Sequence, residues 1–240
     1  TFTALKLQSI NLLYSEKGNE AREYLNHRGF NKENIKKFEF GLFLDKETML
    51  HQFQPNFRSM LEEPLTSYYK ATSSISIPIY SAEQMLKGFI TRAIQKNASI
   101  KYRFTTGFEK NEFFNVNNCL DDEQIFVVEG HMDALSARTQ GVNNIIAIGS
   151  NKFTNTTALE NLLKYKTNRT FIICPDNDIA GKQGLDYLIS HLWKKHELYI
   201  AEIPKEYKGR KIKDLNDLIC ATNKPFNEFI QPTNLNDWYI

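Results

Sequence analysis

Carboxylates at predicted strand-to-helix corners are the residues of this chain best suited to chemistry. Glu129 directly follows the apolar run Ile125 to Val128, and Asp133 lies four residues further on. Such a β-branched and aromatic run predicts a parallel strand buried on both faces. Gly130 permits the tight turn into a helix that ends near Gly141. Because ligands bind at the carboxyl ends of parallel strands, we expect Glu129 and Asp133 to converge at one site.

A second set of acids follows later predicted strands. One apolar run ends in Asp176 and Asp178, and alternate residues leaving a strand can both turn toward one hard cation. Asp214 lies in the segment Lys213 to Asp217, which opens a short helix after a predicted strand from Leu198 to Ile203. Oxygen ligands of this kind are those that Mg²⁺ prefers. Each acid alone also fits a helix cap, so the magnesium prediction depends on their combination.

Length and composition exclude several classes of protein. The chain has 240 residues, of which 41% are hydrophobic, enough for one large or two smaller cores. It contains neither a signal-peptide pattern nor a run of about eighteen apolar residues, so we expect a cytoplasmic protein without a membrane span. The three cysteines are widely separated, and His191 and His196 lack cysteine partners. This spacing predicts no disulfide framework and no zinc site.

The charge is distributed unevenly, although the net charge is only +2. Residues 1–120 contain 16 Lys and Arg against 12 Asp and Glu, whereas residues 121–240 contain 14 against 16. A basic half joined to an acidic half suits an enzyme acting on phosphates, with metal ions on the acidic side and backbone contacts on the basic side. Five cations between Lys205 and Lys213 could bind a triphosphate or a template, or could form a solvated turn.

Taken in chain order, the acidic motifs resemble the TOPRIM domain shared by DnaG-type primases, topoisomerases and some nucleases. The motifs are strand-Glu-Gly-x-x-Asp-helix, strand-Asp-x-Asp-x-x-Gly and Lys-Asp-x-Asn-Asp. The resemblance implies that Glu129 is the acid/base or metal-linked glutamate, with Asp133 beside it in catalysis. The metal ligands that it implies are Glu129, Asp176, Asp178 and Asp214. The implied cofactor is Mg²⁺ or Mn²⁺, with two or more ions.

Some positions depart from the TOPRIM pattern or extend it. The family's Asp-Gly-Asp is Asp-Asn-Asp here, and Asn177 tolerates the left-handed backbone conformation that glycine supplies. Ser150 stands where the family usually has threonine, which keeps a hydroxyl group. Asn216 completes the acidic cluster in this resemblance. We therefore expect a working site despite the changes.

The N-terminal half resembles the start of the polymerase core of DnaG-type primases. Tyr24 to Phe30 reads Y-L-x-x-R-G-F, and F-x-F-G-L begins at Phe38. An I-P-I-Y strand, a G-F-x-x-R strand and a Lys-Tyr pair match further elements of that family. This resemblance makes Arg28, Arg92 and Lys101 candidate contacts to nucleotide phosphates or to the template backbone. It makes Tyr102 a candidate support for a base or sugar. The alternative is that Arg92 and Lys101 only solvate the outer face of a sheet. The family pattern is then lost up to residue 117. Within that stretch, Lys110 could replace a lysine of the family.

These observations together predict an α/β protein. We expect an N-terminal mixed α/β lobe followed by a TOPRIM domain with a mainly parallel sheet flanked by helices. The expected limits are residues 1–120 for the lobe, 121–220 for the TOPRIM catalytic domain and 221–240 for a short tail. Within the lobe we expect helices from Asn19 and from Asn31, antiparallel strands from Ser76, and a variable insertion at residues 49–72.

The resemblance implies the function of a DNA primase core, which synthesises short RNA primers on single-stranded DNA by metal-dependent nucleotidyl transfer. The implied partners are the template, NTPs and, through regions outside this sequence, a replicative helicase. Without a zinc-ribbon module or a helical bundle, the chain fits an excised core or a shortened phage, plasmid or mobile-element enzyme in the bacterial cytoplasm. Two other classes remain open: a TOPRIM nuclease that activates water, and a non-catalytic replication adaptor that binds single strands.

Overall fold

A computed structural model describes residues 1–68, 71–109, 111–149, 156–192, 195–222 and 224–238. Contacts between Cα atoms divide the chain into two compact units, Thr1–Glu109 and Lys110–Ile240. Among the described residues, no helix is both long enough and apolar enough to cross a membrane. Ser150 and Lys110, which the sequence comparison singled out, lie outside the described ranges.

The first unit combines an antiparallel sheet with helices. Its helices are α1 (Phe2–Tyr14), α2 (Asn19–His27), α3 (Lys32–Lys37), α4 (Lys46–His51) and α5 (Pro55–Leu61). Its strands are β1 (Gly41–Phe43), β2 (Ser74–Tyr80), β3 (Leu86–Ala93) and β4 (Tyr102–Phe104). They pair in the order β1-β2-β3-β4, each antiparallel to the next. The predicted mixed α/β lobe is therefore confirmed.

Local signals account for the predicted helices of this unit. Helix α2 ends before Gly29, whose φ of 83° lies in the left-handed region that glycine adopts freely. The Asn31 side chain then accepts a hydrogen bond at 2.8 Å from the backbone N–H of Asn34 and caps α3. These contacts place Arg28 in the turn between the two helices.

Three further helices in the first unit were not predicted from the sequence. Helix α1 packs close to β1, since a Cβ on Gly41 would lie 2.2 Å from Ser9 Oγ. Helices α4 and α5 occupy part of the segment that was expected to be an insertion without clear period. This segment leads into the buried Tyr68, whose ring centroid is 5.1 Å from that of Phe43. Residues 49–68 therefore contribute to the core of the unit.

The second unit is built on a mainly parallel sheet. Its strands are β5 (Gln124–Val128), β6 (Ile145–Ala147), β7 (Thr170–Cys174), β8 (Glu197–Ile200), β9 (Glu206–Tyr207), β10 (Arg210–Lys211) and β11 (Thr233–Asn234). Its helices are α6 (His131–Thr139), α7 (Thr156–Tyr165), α8 (Ile179–Leu192), α9 (Leu215–Thr222) and α10 (Leu235–Trp238). The main sheet has the order β11-β8-β7-β5-β6, parallel except for β11. The predicted mainly parallel sheet flanked by helices is therefore confirmed.

The register of this sheet brings the predicted acids to one edge. Val128, the last residue of β5, lies opposite Cys174, the last residue of the parallel strand β7. Both strands are buried, as their apolar sequences predicted. Glu129 and Asp176 follow these two residues and consequently leave the sheet on the same side.

Some predicted boundaries differ from the structure. Strand β8 ends at Ile200, whereas the predicted strand runs to Ile203. The two-stranded hairpin of β9 and β10 lies between β8 and Asp214. Asp214 therefore enters the site from the start of a helix, as the sequence predicted, with the hairpin between it and β8.

Candidate active site

Glu129 and Asp133 lie at the corner between β5 and α6, as predicted. Asp133 is 6% exposed, and its Oδ1 accepts a hydrogen bond at 2.8 Å from the backbone N–H of Asn216. A Cβ on Gly130 would lie 2.1 Å from Asp133 Oδ2, so the close approach of this carboxylate requires glycine at position 130. Asp133 thus joins α6 to the start of α9.

Two further acids, Asp178 and Asp214, cap the starts of helices. Asp178 Oδ1 accepts a hydrogen bond at 2.9 Å from the backbone N–H of Gly181, at the start of α8. Asp214 Oδ1 accepts one at 2.8 Å from the backbone N–H of Asp217, at the start of α9. These contacts are those expected of acids at helix N-termini. Capping therefore fixes the orientation of both carboxylates.

The electrostatics show that these acids form one group. Burial, followed by the negative charges of four neighbouring carboxylates, raises the pKa of Asp176 to about 9. Those neighbours, in order of effect, are Asp133, Glu129, Asp214 and Asp178. Burial and then the charge of Asp178 raise the pKa of Glu129, while the backbone N–H of Asp176 and the charge of Lys213 act in the opposite direction. We call these five acids the carboxylate cluster.

The chemistry of the carboxylate cluster fits a divalent cation. Glu129 Oε1 is buried and has no hydrogen-bond partner among the described residues. A Cβ on Gly181 would lie 2.7 Å from this oxygen and 2.5 Å from the carbonyl oxygen of Asp176, so glycine leaves the space beside Glu129 open. Within the described ranges, no three His, Cys, Asp or Glu side chains form a ready-made ligand set. The carboxylate cluster suits a divalent cation because it supplies negative charge and oxygen donors, which hard cations prefer.

Asn177 has a structural role that the sequence did not reveal. It is not among the residues with positive φ in the described chain, so its backbone does not use the left-handed conformation that asparagine tolerates. Its backbone N–H donates to the carbonyl oxygen of Lys213 at 2.8 Å. Its side-chain amide donates to the carbonyl oxygens of Pro204 at 3.2 Å and Ile212 at 3.0 Å. Asn177 therefore connects the loop of Asp176 and Asp178 to the segment before Asp214.

Asn216, predicted to complete the acidic cluster, lies within this site. It is 1% exposed, and its side-chain amide donates a hydrogen bond to Ser136 Oγ on α6. Together with the bond from its backbone N–H to Asp133, this contact fixes α9 against α6. Asn216 therefore positions the carboxylate of Asp133 by holding the helix that contacts it.

The first unit contains a cavity of about 580 Å³ that we call the basic pocket. Three of its lining residues are the predicted phosphate contacts Arg28, Arg92 and Lys101. The complete lining is Tyr24, His27, Arg28, Arg92, Ala93, Ile94, Gln95, Lys96 and Lys101. The fold thus brings together Arg28 from the turn after α2, Arg92 from β3 and Lys101 from the residue before β4.

Tyrosines contact the two arginines of the basic pocket. The Arg92 guanidinium donates hydrogen bonds to the hydroxyls of Tyr24 and Tyr102 and lies 5.1 Å from the centroid of the Tyr102 ring. Arg28 lies 5.6 Å from the centroid of the Tyr24 ring. The predicted residue Tyr102 therefore supports Arg92. Tyr24 was missed, although its position four residues before Arg28 would place both on one helical face.

Similarity to known proteins is found for both halves of the chain. Residues 9–120 match the family model described as DNA primase catalytic core, N-terminal domain, and residues 126–219 match the Toprim-like family. The DNA primase of Lactococcus lactis is 25% identical, with 97% of this chain and 40% of the primase covered. An uncharacterised protein of Mycoplasma genitalium is 28% identical, with 86% of this chain and 83% of that protein covered.

A solved structure, that of a DnaG primase catalytic domain bound to ssDNA, has the same fold. The two share 21% sequence identity with a TM-score of 0.72, covering 96% of this chain and 77% of that one. The parallel sheet with acids at its carboxyl edge defines a Toprim-like domain. With the match to the primase N-terminal domain in front of it, the chain is similar to DNA primase catalytic cores over most of its length. Such a Toprim-containing primase family implies the use of divalent metal ions.

Proposed function

We propose that this chain synthesises short RNA primers on a single-stranded DNA template by nucleotidyl transfer. The observation that carries the proposal is the carboxylate cluster, in which burial, followed by the charges of four neighbouring acids, raises the pKa of Asp176 to about 9. Such a concentration of like charge is costly to the fold and is typical of a functional site. Its position in a chain with a primase N-terminal domain supports primer synthesis. The related catalytic domain bound to ssDNA supports a single-stranded template.

The carboxylate cluster is proposed to hold Mg²⁺ or Mn²⁺, with two or more ions. Asp176, Asp178, Asp214 and Glu129 are the proposed ligands. When bound, such ions lower the pKa of a ribose 3′-hydroxyl and neutralise the triphosphate as pyrophosphate leaves. Glu129 is also proposed to assist proton removal, because its Oε1 has no partner in the described part of the chain. Asp133 holds the surrounding backbone in place through Asn216.

The basic pocket is proposed to bind phosphates of the template or of the incoming nucleotide. Arg28 and Arg92 offer planar guanidinium groups that can bind phosphate oxygens in pairs, whereas Lys101 offers a point charge. Tyr102 is proposed to keep Arg92 oriented. The lobe proposed for residues 1–120 contains this pocket, and the catalytic domain proposed for residues 121–220 contains the carboxylate cluster. Base selection would depend on pairing with the template, since backbone contacts carry no sequence information.

One assay separates primer synthesis from the other two classes. The chain is incubated with single-stranded DNA, NTPs and Mg²⁺ or Mn²⁺, beside a variant carrying Asp176→Asn and Asp178→Asn. New short RNA that depends on NTPs, and that the variant does not make, is the expected result. Shortened DNA would instead identify a nuclease. DNA binding without either product would identify a non-catalytic adaptor, and both of these results would overturn the proposal.

A further inference from the structure

A short β-hairpin with several basic side chains lies next to the carboxylate cluster. Residues 205–213, which we call the basic hairpin, contain β9, β10 and the residues at their ends. Their only acid is Glu206, whereas their cations are Lys205, Lys208, Arg210, Lys211 and Lys213. All five of these cations are exposed. The hairpin therefore presents a high density of positive charge to solvent.

The basic hairpin has a defined backbone conformation. Arg210 pairs with Tyr207 and Lys211 pairs with Glu206 across the two strands. Lys208, with φ of 49°, and Gly209, with φ of 78°, form the tight turn between them, and left-handed residues at both turn positions are typical of two-residue hairpins. The Tyr207 ring packs edge-on against Phe229, with 5.5 Å between centroids. The charged side chains therefore project from an ordered support.

The base of the basic hairpin is tied to the catalytic loop. Asn177 donates hydrogen bonds to the carbonyl oxygen of Pro204, just before β9, and to those of Ile212 and Lys213, just after β10. Both ends of the hairpin are thus held by the residue between Asp176 and Asp178. Lys213 is close enough for its charge to act on Glu129. The row of cations consequently starts at the carboxylate cluster and leads away from it.

The alternative explanation is that these cations only solvate the surface. The positions differ in how well they fit it. Arg210 is 4.0 Å from Asp217, a contact at the limit of an ion pair. Lys208 and Lys211 form no ion pair with any described residue. They therefore add positive charge that no ion pair among the described residues offsets. This placement favours a ligand that carries several negative charges.

We propose that the basic hairpin binds the sugar-phosphate backbone of the nucleic acid that enters the carboxylate cluster. An extended chain advances about 3.3 Å per residue, and Lys208 lies in the turn, so Lys208 and Lys213 are at most about 16 Å apart. One nucleic-acid strand advances about 3.4 Å per phosphate, so the cations can span up to about five nucleotides, more than the phosphates of a single triphosphate. The inference rests on the proposed function and adds a backbone contact to it.

The test compares two double variants with the same loss of charge. Lys208→Asn with Lys211→Gln removes two hairpin cations, and asparagine tolerates the left-handed conformation at position 208. The control, Lys164→Gln with Lys195→Gln, removes two exposed lysines near the opposite edge, where β7 and β8 begin. Thermal unfolding of both variants is expected to match that of the unaltered chain, because all four side chains are exposed.

The measurement is binding of single-stranded DNA over a series of salt concentrations, without NTPs. Each lost contact to a single strand lowers the slope of log affinity against log salt by about 0.7. In the hairpin variant this slope is expected to fall by about 1.4. Between about 50 and about 200 mM salt, its DNA affinity should therefore change by a factor about sevenfold smaller than that of the unaltered chain. The control variant keeps the slope of the unaltered chain.

Two results would overturn the inference. An unchanged slope in the hairpin variant would show that its lysines do not bind the backbone. Unchanged DNA affinity with an increased KM for NTP in primer synthesis would show that they bind the triphosphate instead. Since the binding measurement contains no NTPs, failure of primer synthesis would count against the proposed function and leave the result on the hairpin standing.

Discussion

The carboxylate cluster and the basic pocket hold their charged groups in opposite ways. In the cluster, like charges are placed together, and burial and four neighbouring acids raise the pKa of Asp176 to about 9. In the pocket, Arg92 is bonded to two tyrosine hydroxyls and Arg28 lies over a tyrosine ring. The cluster therefore costs the fold stability, whereas the pocket contributes to it.

This difference indicates how each region is expected to respond to mutation. Groups that repel one another in the folded chain are retained for a ligand of opposite charge, so neutralising one removes function with no loss of stability. Groups that are already bonded to neighbours contribute to packing, so truncating one lowers stability as well as binding. Four substitutions test this contrast.

The largest effect is expected from Asp176→Asn, which keeps the shape of the side chain and removes its charge. Primer synthesis should fall by at least about 100-fold, because the main proposed metal ligand and its electrostatic help are lost. The melting temperature without divalent ions should change little near pH 7, because burial and the neighbouring acids already keep Asp176 protonated there, and it should rise above about pH 9, where the substitution removes a repelling charge. Synthesis assays, calorimetric titration of Mg²⁺ and thermal unfolding provide the measurements. Normal ion binding and normal synthesis would refute the metal assignment.

Glu129→Gln is expected to reduce the rate by about two to four orders of magnitude, the range found on removing acid/base or electrostatic assistance. Template affinity should remain near that of the unaltered chain, because Glu129 has a role in chemistry more than in binding. Single-turnover rates and DNA binding are measured on the same preparation. A variant that copies template at the normal rate would remove Glu129 from the chemical step.

Arg92→Ala is expected to lower the free energy of unfolding by about 1–3 kcal/mol, since two hydrogen bonds and the packing of the side chain are lost. Lys96→Ala is the matched control, because Lys96 lines the same cavity and is exposed. The control should stay within about 0.5 kcal/mol of the unaltered chain. Urea unfolding measures both. Equal free energies of unfolding for the two variants would mean that the hydrogen bonds of Arg92 do not stabilise the fold.

The smallest effect is expected from Lys101→Ala, because Lys101 is exposed and supplies only a point charge. If it contacts template phosphate, the salt slope of DNA binding should fall by about 0.7 for all sequences alike. If it contacts the triphosphate, template affinity is unchanged and the KM for NTP rises. Lys87→Ala is the control, because Lys87 is exposed at the other end of β3. Values equal to the control in both assays would leave Lys101 as a solvated strand residue.

The elements predicted correctly are those with a clear local pattern. The unit β5-α6-β6 was recognisable from two apolar runs separated by a helix with glycine at each end. Helix α1 was not, because Leu7 on this helix is 56% exposed while Ser9 is buried against Gly41. Helices α4 and α5 have six and seven residues, and helices of that length show too few turns to establish a period.

The convergence of the five acids followed from the sequence, because acids placed after parallel strands or at the starts of neighbouring helices meet at one edge of a sheet. The internal contacts of the site did not. Asn177 binds carbonyl groups 27 and 35 residues away, and Arg92 binds a tyrosine 68 residues away. Hydrophobic period and capping residues specify local conformation, but partners at such distances are selected only when the packed core brings their segments together.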